Sequence, residues 1–258
     1  MAVVGGGGRS RDRHHPHGGI LLAAATGLLL CLPAAQADEA RKPRHAYSTG
    51  TDITGNSLFG YAGGVWAFGN PLDEPGLRIK ALGGFGDYAY DGTLPLAGGS
   101  VPARFNGEVF LAELLLGRMW QHEQWTVKLY GGVEYVDHRV SPRDASNPVR
   151  GSRWGAKVKL ESWRNIGARA FLSLDASYGT AFDDYWILGR LGRSVGTRLS
   201  GGIEAGALGN EGYDTGRAGA FLRYRLKGAE ITLSGGATGD YLEGDPSGYV
   251  TLGLYARR

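Results

Sequence analysis

The sequence predicts an all-β protein, an antiparallel up-and-down transmembrane β-barrel of about 12 strands, with 10 as the alternative count. Three observations predict it. Residues 46–258 repeat a two-residue alternation of apolar and polar side chains, broken by turn signals. Charges sit mid-strand on one face only, and the connections sort into short and longer ones along the chain. Finally, 45 of 258 residues are Gly, more than twice the usual share of about 7%, alongside 13 Tyr, 8 Phe and 6 Trp. No Gly-X-Y period is present, so collagen is excluded, and a 42% hydrophobic share is too high for a disordered linker. A formal charge of +3 gives no broad basic field, so nucleic acid is not an expected partner.

The first 37 residues read as a cleavable signal peptide. Arg9, Arg11 and Arg13 form a basic start, Ile20 to Leu32 is an apolar run, Pro33 breaks it, and Ala35-Gln36-Ala37 is a small-x-small cleavage signature. The run is short for a membrane helix, which needs roughly 20 apolar residues. Cys31 raises a lipoprotein signal as the rival, but that chemistry wants a small residue where Leu30 stands. Cleavage after Ala37 removes the only cysteine, leaving no disulfide and no CxxC pair for zinc. Residues 38–45, with Arg41-Lys42-Pro43-Arg44-His45, read as a short periplasmic tether, and 46–258 as the outer-membrane barrel.

The strands follow in order. The segment 45–54 has uncertain independence from 57–68, which carries Gly63-Gly64 in its interior. The next, 76–90, holds Arg78 and Lys80 and then Gly83, Gly84 and Gly86. In 104–120 the run Leu114-Leu115-Leu116 blurs the parity. Clean alternation returns in 125–138, where Val127 and Leu129 oppose Lys128 and Tyr130. In 152–164, Trp154, Ala156, Val158 and Leu160 oppose Gly155, Lys157, Lys159 and Glu161. In 168–181, Ala168, Ala170, Leu172 and Leu174 oppose Arg169, Phe171, Ser173 and Asp175. Arg190 marks 185–194, and Gly201-Gly202 with Glu204 mark 197–208. Ala218, Ala220, Leu222, Tyr224 and Leu226 oppose five residues from Arg217 to Arg225 in 215–227. Ile231 and Leu233 oppose Glu230, Thr232 and Ser234 in 229–239, and 248–257 closes the set.

Connections at 69–75, 121–124, 165–167, 195–196 and 228 are mostly short, whereas 91–103, 139–151, 209–214 and 240–247 are mostly longer. Outer-membrane barrels separate short periplasmic turns from long external loops in this way. Trp120, Trp125 and Trp163 border short turns, where an interfacial girdle belongs. Glycine pairs inside strands are unfavourable unless a curved sheet needs kinks, or side-chain-free spots where charged chains cross the lumen. Inward Arg78, Lys80, Lys128, Lys157, Lys159, Arg223 and Arg225 face Glu134, Glu161, Asp175, Glu204 and Glu230, a set suited to a salt-bridged plug.

A group of segments then carries a resemblance. They are Leu58-Phe59-Gly60-Tyr61-Ala62-Gly63-Gly64-Val65, Gly84-Phe85-Gly86-Asp87-Tyr88-Ala89-Tyr90-Asp91, Asp137-His138-Arg139-Val140-Ser141-Pro142, Asn147-Pro148-Val149-Arg150-Gly151 with Trp154-Gly155, Ala181-Phe182-Asp183-Asp184-Tyr185-Trp186, and Leu208-Gly209-Asn210-Glu211-Gly212-Tyr213-Asp214. On these the chain resembles the cellulose biosynthesis protein BcsS family of proteobacteria, over roughly residues 50–257. The resemblance implies association with a bacterial cellulose-making system, with outer-membrane lipid, cellulose or other cellulose-synthase subunits as partners. It brings no reaction, cofactor or catalytic residue. The chain departs from barrel habit at its end, where three residues follow Tyr255 instead of an aromatic terminus.

For a site, Tyr88, Tyr90, Trp154 and Tyr185 offer stacking faces to a glucan, and Asn210, Glu211, Tyr213 and Asp214 form a compact sugar-contact group. The same residues also suit ordinary turn chemistry and a girdle. Asp137, His138 and Ser141 are the nearest approach to a hydrolytic triad, with an order that matches no hydrolase motif. His122 lies in a turn and His45 in the basic tether. No metal spacing occurs, and Gly83-Gly84-Phe85-Gly86 is not a phosphate loop because no helix follows it. The expected function is a non-enzymatic outer-membrane barrel of cellulose biosynthesis or export. A small pore, or a barrel enzyme acting on lipid or acylated glycan, stands as the alternative.

Overall fold

Twelve antiparallel strands close into a barrel in sequence order, which removes the ten-strand alternative. The computed structural model describes residues 42–239 and 246–258; the expected signal peptide and the first tether residues lie outside the described residues. The strands are β1 (His45–Ile53), β2 (Ser57–Phe68), β3 (Gly76–Leu96), β4 (Gly99–His122), β5 (Trp125–Ser141), β6 (Gly151–Ile166), β7 (Ala170–Gly179), β8 (Tyr185–Val195), β9 (Leu199–Asn210), β10 (Tyr213–Leu226), β11 (Ala229–Thr238) and β12 (Ser247–Arg257). β1 pairs with β2 on one side and β12 on the other, from Ala46↔Arg257 to Ile53↔Val250, so no edge is left unpaired.

The period-2 pattern reads directly onto this wall. Leu129, Val133, Val158, Leu172, Leu191, Ile203, Leu222 and Leu252 are exposed on the outside. The alternate residues Glu134, Lys157, Ser173, Glu204 and Ser234 are buried in the lumen. Parity also resolves the blurred Leu114-Leu115-Leu116 run: Leu115 is 1% exposed inside, and its two neighbours face out. Outward Tyr47, Trp66, Trp120, Trp125 and Tyr224 ring one end. Phe110, Tyr135 and Trp154 form a line of rings near the other, with centroids 6.3 and 5.1 Å apart.

Trp163 is a correction to the expected girdle. It points inward, stacks on Phe171 at 4.3 Å and lies beneath the Arg223 guanidinium. Its odd number places it on the Lys157, Lys159 and Glu161 face of β6, and parity outranks nearness to a turn.

The ends of the barrel also differ from expectation. Residues 91–103 are not a loop: β3 and β4 continue pairing to Leu96↔Gly99 and project as a two-stranded ribbon beyond Ser57↔Tyr88 and Asn106↔Ser141. Pro95 and Pro102 fit within this ribbon because each of its strands has an unpaired edge that tolerates a missing N–H. Residues 209–214 likewise pair as Asn210↔Tyr213, leaving a turn of Glu211 and Gly212. Conversely, β7 stops at Gly179, and 180–184 is a connection. Length sorting is therefore weak. The connections at 123–124, 167–169, 196–198 and 227–228 share an end with residues 42–44 and Arg258; the ribbon and the 142–150 connection occupy the other. The first is the turn end and the second the loop end.

Glycine acts mainly where rings lie against the wall. A Cβ at Gly192 would overlap the Phe171 ring and sit 2.8 Å from that of Phe221, and one at Gly107 would overlap Tyr88. A second use is backbone approach between coiled strands: a Cβ at Gly63 would lie 2.5 Å from the Ala81 carbonyl. Aromatic rings and carbonyls, more than the crossing charged chains expected, occupy the space that glycine leaves.

Candidate functional site: the loop-end vestibule

The barrel interior is crossed by polar struts. Lys80 on β3 reaches Glu161 on β6, and Lys128 bonds the other oxygen of that carboxylate at 3.0 Å. Arg217 on β10 holds Asp52 on β1 by a two-pronged contact at 2.8 and 3.0 Å, and Thr251 donates to the same carboxylate at 2.6 Å. Glu204 accepts from Arg190 at 2.7 Å, Ser234 at 3.0 Å and Tyr249 at 2.7 Å. Lys157 bridges Glu134 at 2.9 Å and Asp184. A charge desolvated in this way is stable only when paired, which is why both signs face inward. The expected plug is present in part: Lys80, Lys128, Lys157 and Lys159 meet carboxylates, with Asp52, Glu113, Asp184 and Arg217 added, whereas Arg78 donates to the backbone carbonyls of Pro71, Leu72 and Glu74 and Arg225 is exposed.

Above these struts a cavity of about 860 Å³ opens towards the loop end. Its walls carry Tyr61, Trp186 and Tyr213 beside Asp52, Glu113 and Arg217. The mouth is narrowed by connections that fold inward. Phe182 is 1% exposed and packs with Ala181, Val149 and Val136. The Arg153 guanidinium lies 4.2 Å from the Phe182 ring centroid and donates to Glu211 at 2.6 Å. Glu134 accepts the Ala181 N–H at 3.0 Å, tying this packing to the plug below.

Asp144 organises the 142–150 connection. Its carboxylate accepts from Tyr90 at 2.8 Å and from the Ser146 N–H and hydroxyl at 2.9 and 2.6 Å. Burial alone would raise its pKa; the hydrogen bonds from Ser146 and Tyr90 outweigh burial and hold it below the usual carboxylate value.

The eight residues expected to contact glycan separate into two groups. Tyr88, Tyr90, Tyr185, Asn210 and Tyr213 line the vestibule; Tyr88 and Tyr90 stack with centroids 6.4 Å apart. Trp154 is 75% exposed on the outer wall against Tyr135, away from the lumen. Tyr185 borders the rim and donates to Asp214 at 2.8 Å; Asn210 accepts the Gly212 N–H at 2.8 Å, and Glu211 is engaged by Arg153. Sequence reasoning missed Trp186, Asp144 and Asp52. Trp186 was visible only as part of a motif, and the Asp52–Arg217 partnership spans 165 residues, beyond any spacing rule.

The suggested Asp137, His138 and Ser141 group is not assembled. His138 turns inward to Tyr88 at 3.1 Å and packs edge-on against Phe182. Asp137 turns outward and pairs with Arg139 at 3.0 Å, because adjacent strand residues face opposite sides. Among the described residues no group of three or more His, Cys, Asp or Glu could hold a metal ion.

Fold and lumen together define a barrel of the outer-membrane type whose interior is crossed by ion pairs. The fold matches the COG4313 outer membrane channel of Pseudomonas putida F1, with 11% identity, a TM-score of 0.52, and coverage of 88% of this chain and 100% of that one. The translocator domain of the autotransporter NalP of Neisseria meningitidis is similar at 13% identity and TM-score 0.49, over 93% and 94% of the two chains. The KdgM porin is similar at 9% identity and 0.47, over 82% and 98%. No curated protein matches the sequence. The chain belongs to the cellulose biosynthesis protein BcsS family, whose model matches residues 46–258.

Proposed function

We propose that this chain is a non-enzymatic outer-membrane barrel that serves bacterial cellulose production as an export accessory or as an anchor for the synthase complex. One observation carries it: an apolar outer wall encloses an interior crossed by paired charges in a member of a cellulose biosynthesis family. Tyr135 lies ten residue steps along β5 from Trp125. At about 3.3 Å per residue and a tilt near 40°, that gives about 25 Å between the aromatic belts, the height of an outer-membrane apolar band. The paired interior supports a structural or recognition role over a wide channel, and the unassembled His138 group supports a role without catalysis.

Within that reading, the loop-end vestibule contacts glucan through Tyr88, Tyr90, Asn210 and Tyr213, which offer ring faces beside hydrogen-bonding groups. Deleting the gene in a cellulose-producing host should reduce cellulose at the cell surface, and complementation should restore it. Unchanged surface cellulose would remove the proposed role. Cello-oligosaccharide titration against the intact barrel and a Tyr90→Ala variant tests glucan contact separately.

A further inference from the structure

The turn end holds a second cavity, of about 440 Å³, with a different chemistry. Arg169, Arg223 and Arg225 line it together with Gln124, Asn165 and Ser200. Arg223 forms its inner part: the guanidinium lies 5.2 Å from the Trp163 ring and 5.4 Å from Phe171. Its Nε sits 3.1 Å from Glu230 but is buried without a hydrogen bond. Arg169 and Arg225 are exposed at the opening, and neither makes a side-chain ion pair among the described residues. Three guanidiniums thus share one cavity in which a single carboxylate, Glu230, answers Arg223. Elsewhere in this lumen almost every cation is paired, so the surplus is local.

From this we infer that the turn-end cavity docks an acidic segment of a partner polypeptide, bound in extended form with carboxylates on alternate residues. Spacing is the reason for a peptide over a single small anion. Arg223 and Arg225 are two residues apart on one face of β10, which sets them about 6.6 Å apart along the strand. Same-face side chains of an extended ligand repeat at that distance, so two of its carboxylates meet two guanidiniums. Arg guanidiniums suit this because each can grip a carboxylate with two parallel N–H bonds. Gln124, Asn165 and Ser200 supply the mixed donors and acceptors that a peptide backbone needs, and one phosphate would leave them idle. Residues 42–44 and Arg258 share this end of the barrel, so the partner approaches from their side. This surface goes beyond the cellulose role and is independent of the vestibule at the other end.

The test uses the full barrel refolded in detergent and a labelled peptide with Glu at alternate positions, followed by fluorescence anisotropy. Saturable binding that weakens with salt is expected. Arg225→Glu should weaken it about tenfold or more, and Arg225→Gln by a smaller factor, with both variants still migrating as folded barrels. Arg104→Glu, at the loop end, should leave it unchanged. Three results would each overturn the inference: no saturable binding, equal binding by the Arg225 variants, or competition by inorganic phosphate at the same concentration as peptide. The last would mark a free-oxyanion site.

Discussion

Single residues in this lumen carry unequal burdens. Arg217 is buried, and both prongs of its guanidinium rest on Asp52. Asp52→Ala leaves that charge without its partner, and breaking such a pair costs about 3 kcal/mol. Urea unfolding of the refolded barrel should show the loss as a lower midpoint. Gly192 offers a different test. Its missing side chain is the space into which the Phe171 and Phe221 rings fit. Gly192→Val should destabilise by about 2 kcal/mol through overpacking, read in the same assay, whereas Val at exposed Gly167 has no ring to meet and acts only through its φ of +61°.

At the scale of elements, the 142–150 connection is held by the Asp144 hydrogen bonds and by the packing of Val149 against Phe182. Asp144 has a folded pKa below its ordinary value of about 3.9, so its ionised form stabilises the connection. That stability is complete above the ordinary value and is lost as pH falls through the lowered one. Amide exchange at Ser146, whose N–H is held by Asp144, should therefore keep constant protection from pH 7 down to about 4 and lose it only at lower pH, as the lowered value is crossed. An Asp144→Asn variant should lack this step. The outer part of the β3–β4 ribbon pairs only with itself, so its order depends on anchors such as Phe105, stacked on Tyr90 at 5.1 Å.

At the scale of the whole molecule, ion pairs link strands that are distant in the sheet, β3 to β6 and β10 to β1. They divide the interior into a wide vestibule and a smaller basic cavity. Planar-bilayer recording should give little or no steady conductance for the intact barrel. Replacing Lys80, Lys128 and Glu161 together by Ala removes the strut without stranding a charge, and should raise conductance severalfold. Large open channels in the unaltered protein would show that the ion pairs leave a continuous path.

The sequence by itself determined the wall. Two-residue periodicity assigns each side chain to lipid or lumen, as Leu129 against Lys128 and Leu114 against Leu115 show, because a strand has only two faces. That is why the strand boundaries of β2 and the closed barrel were legible. The ends were less so: proline at 95 and 102 signals a break only if the next strand requires the missing N–H, and the ribbon does not. Tertiary structure decided the rest. Which inward charge meets which depends on strand order, tilt and closure, quantities that bring residues 165 positions apart into contact. The same closure brought Arg223 over Trp163 and Phe182 against His138. Local sequence sets the face of a residue, and only the closed sheet sets its neighbour across the lumen.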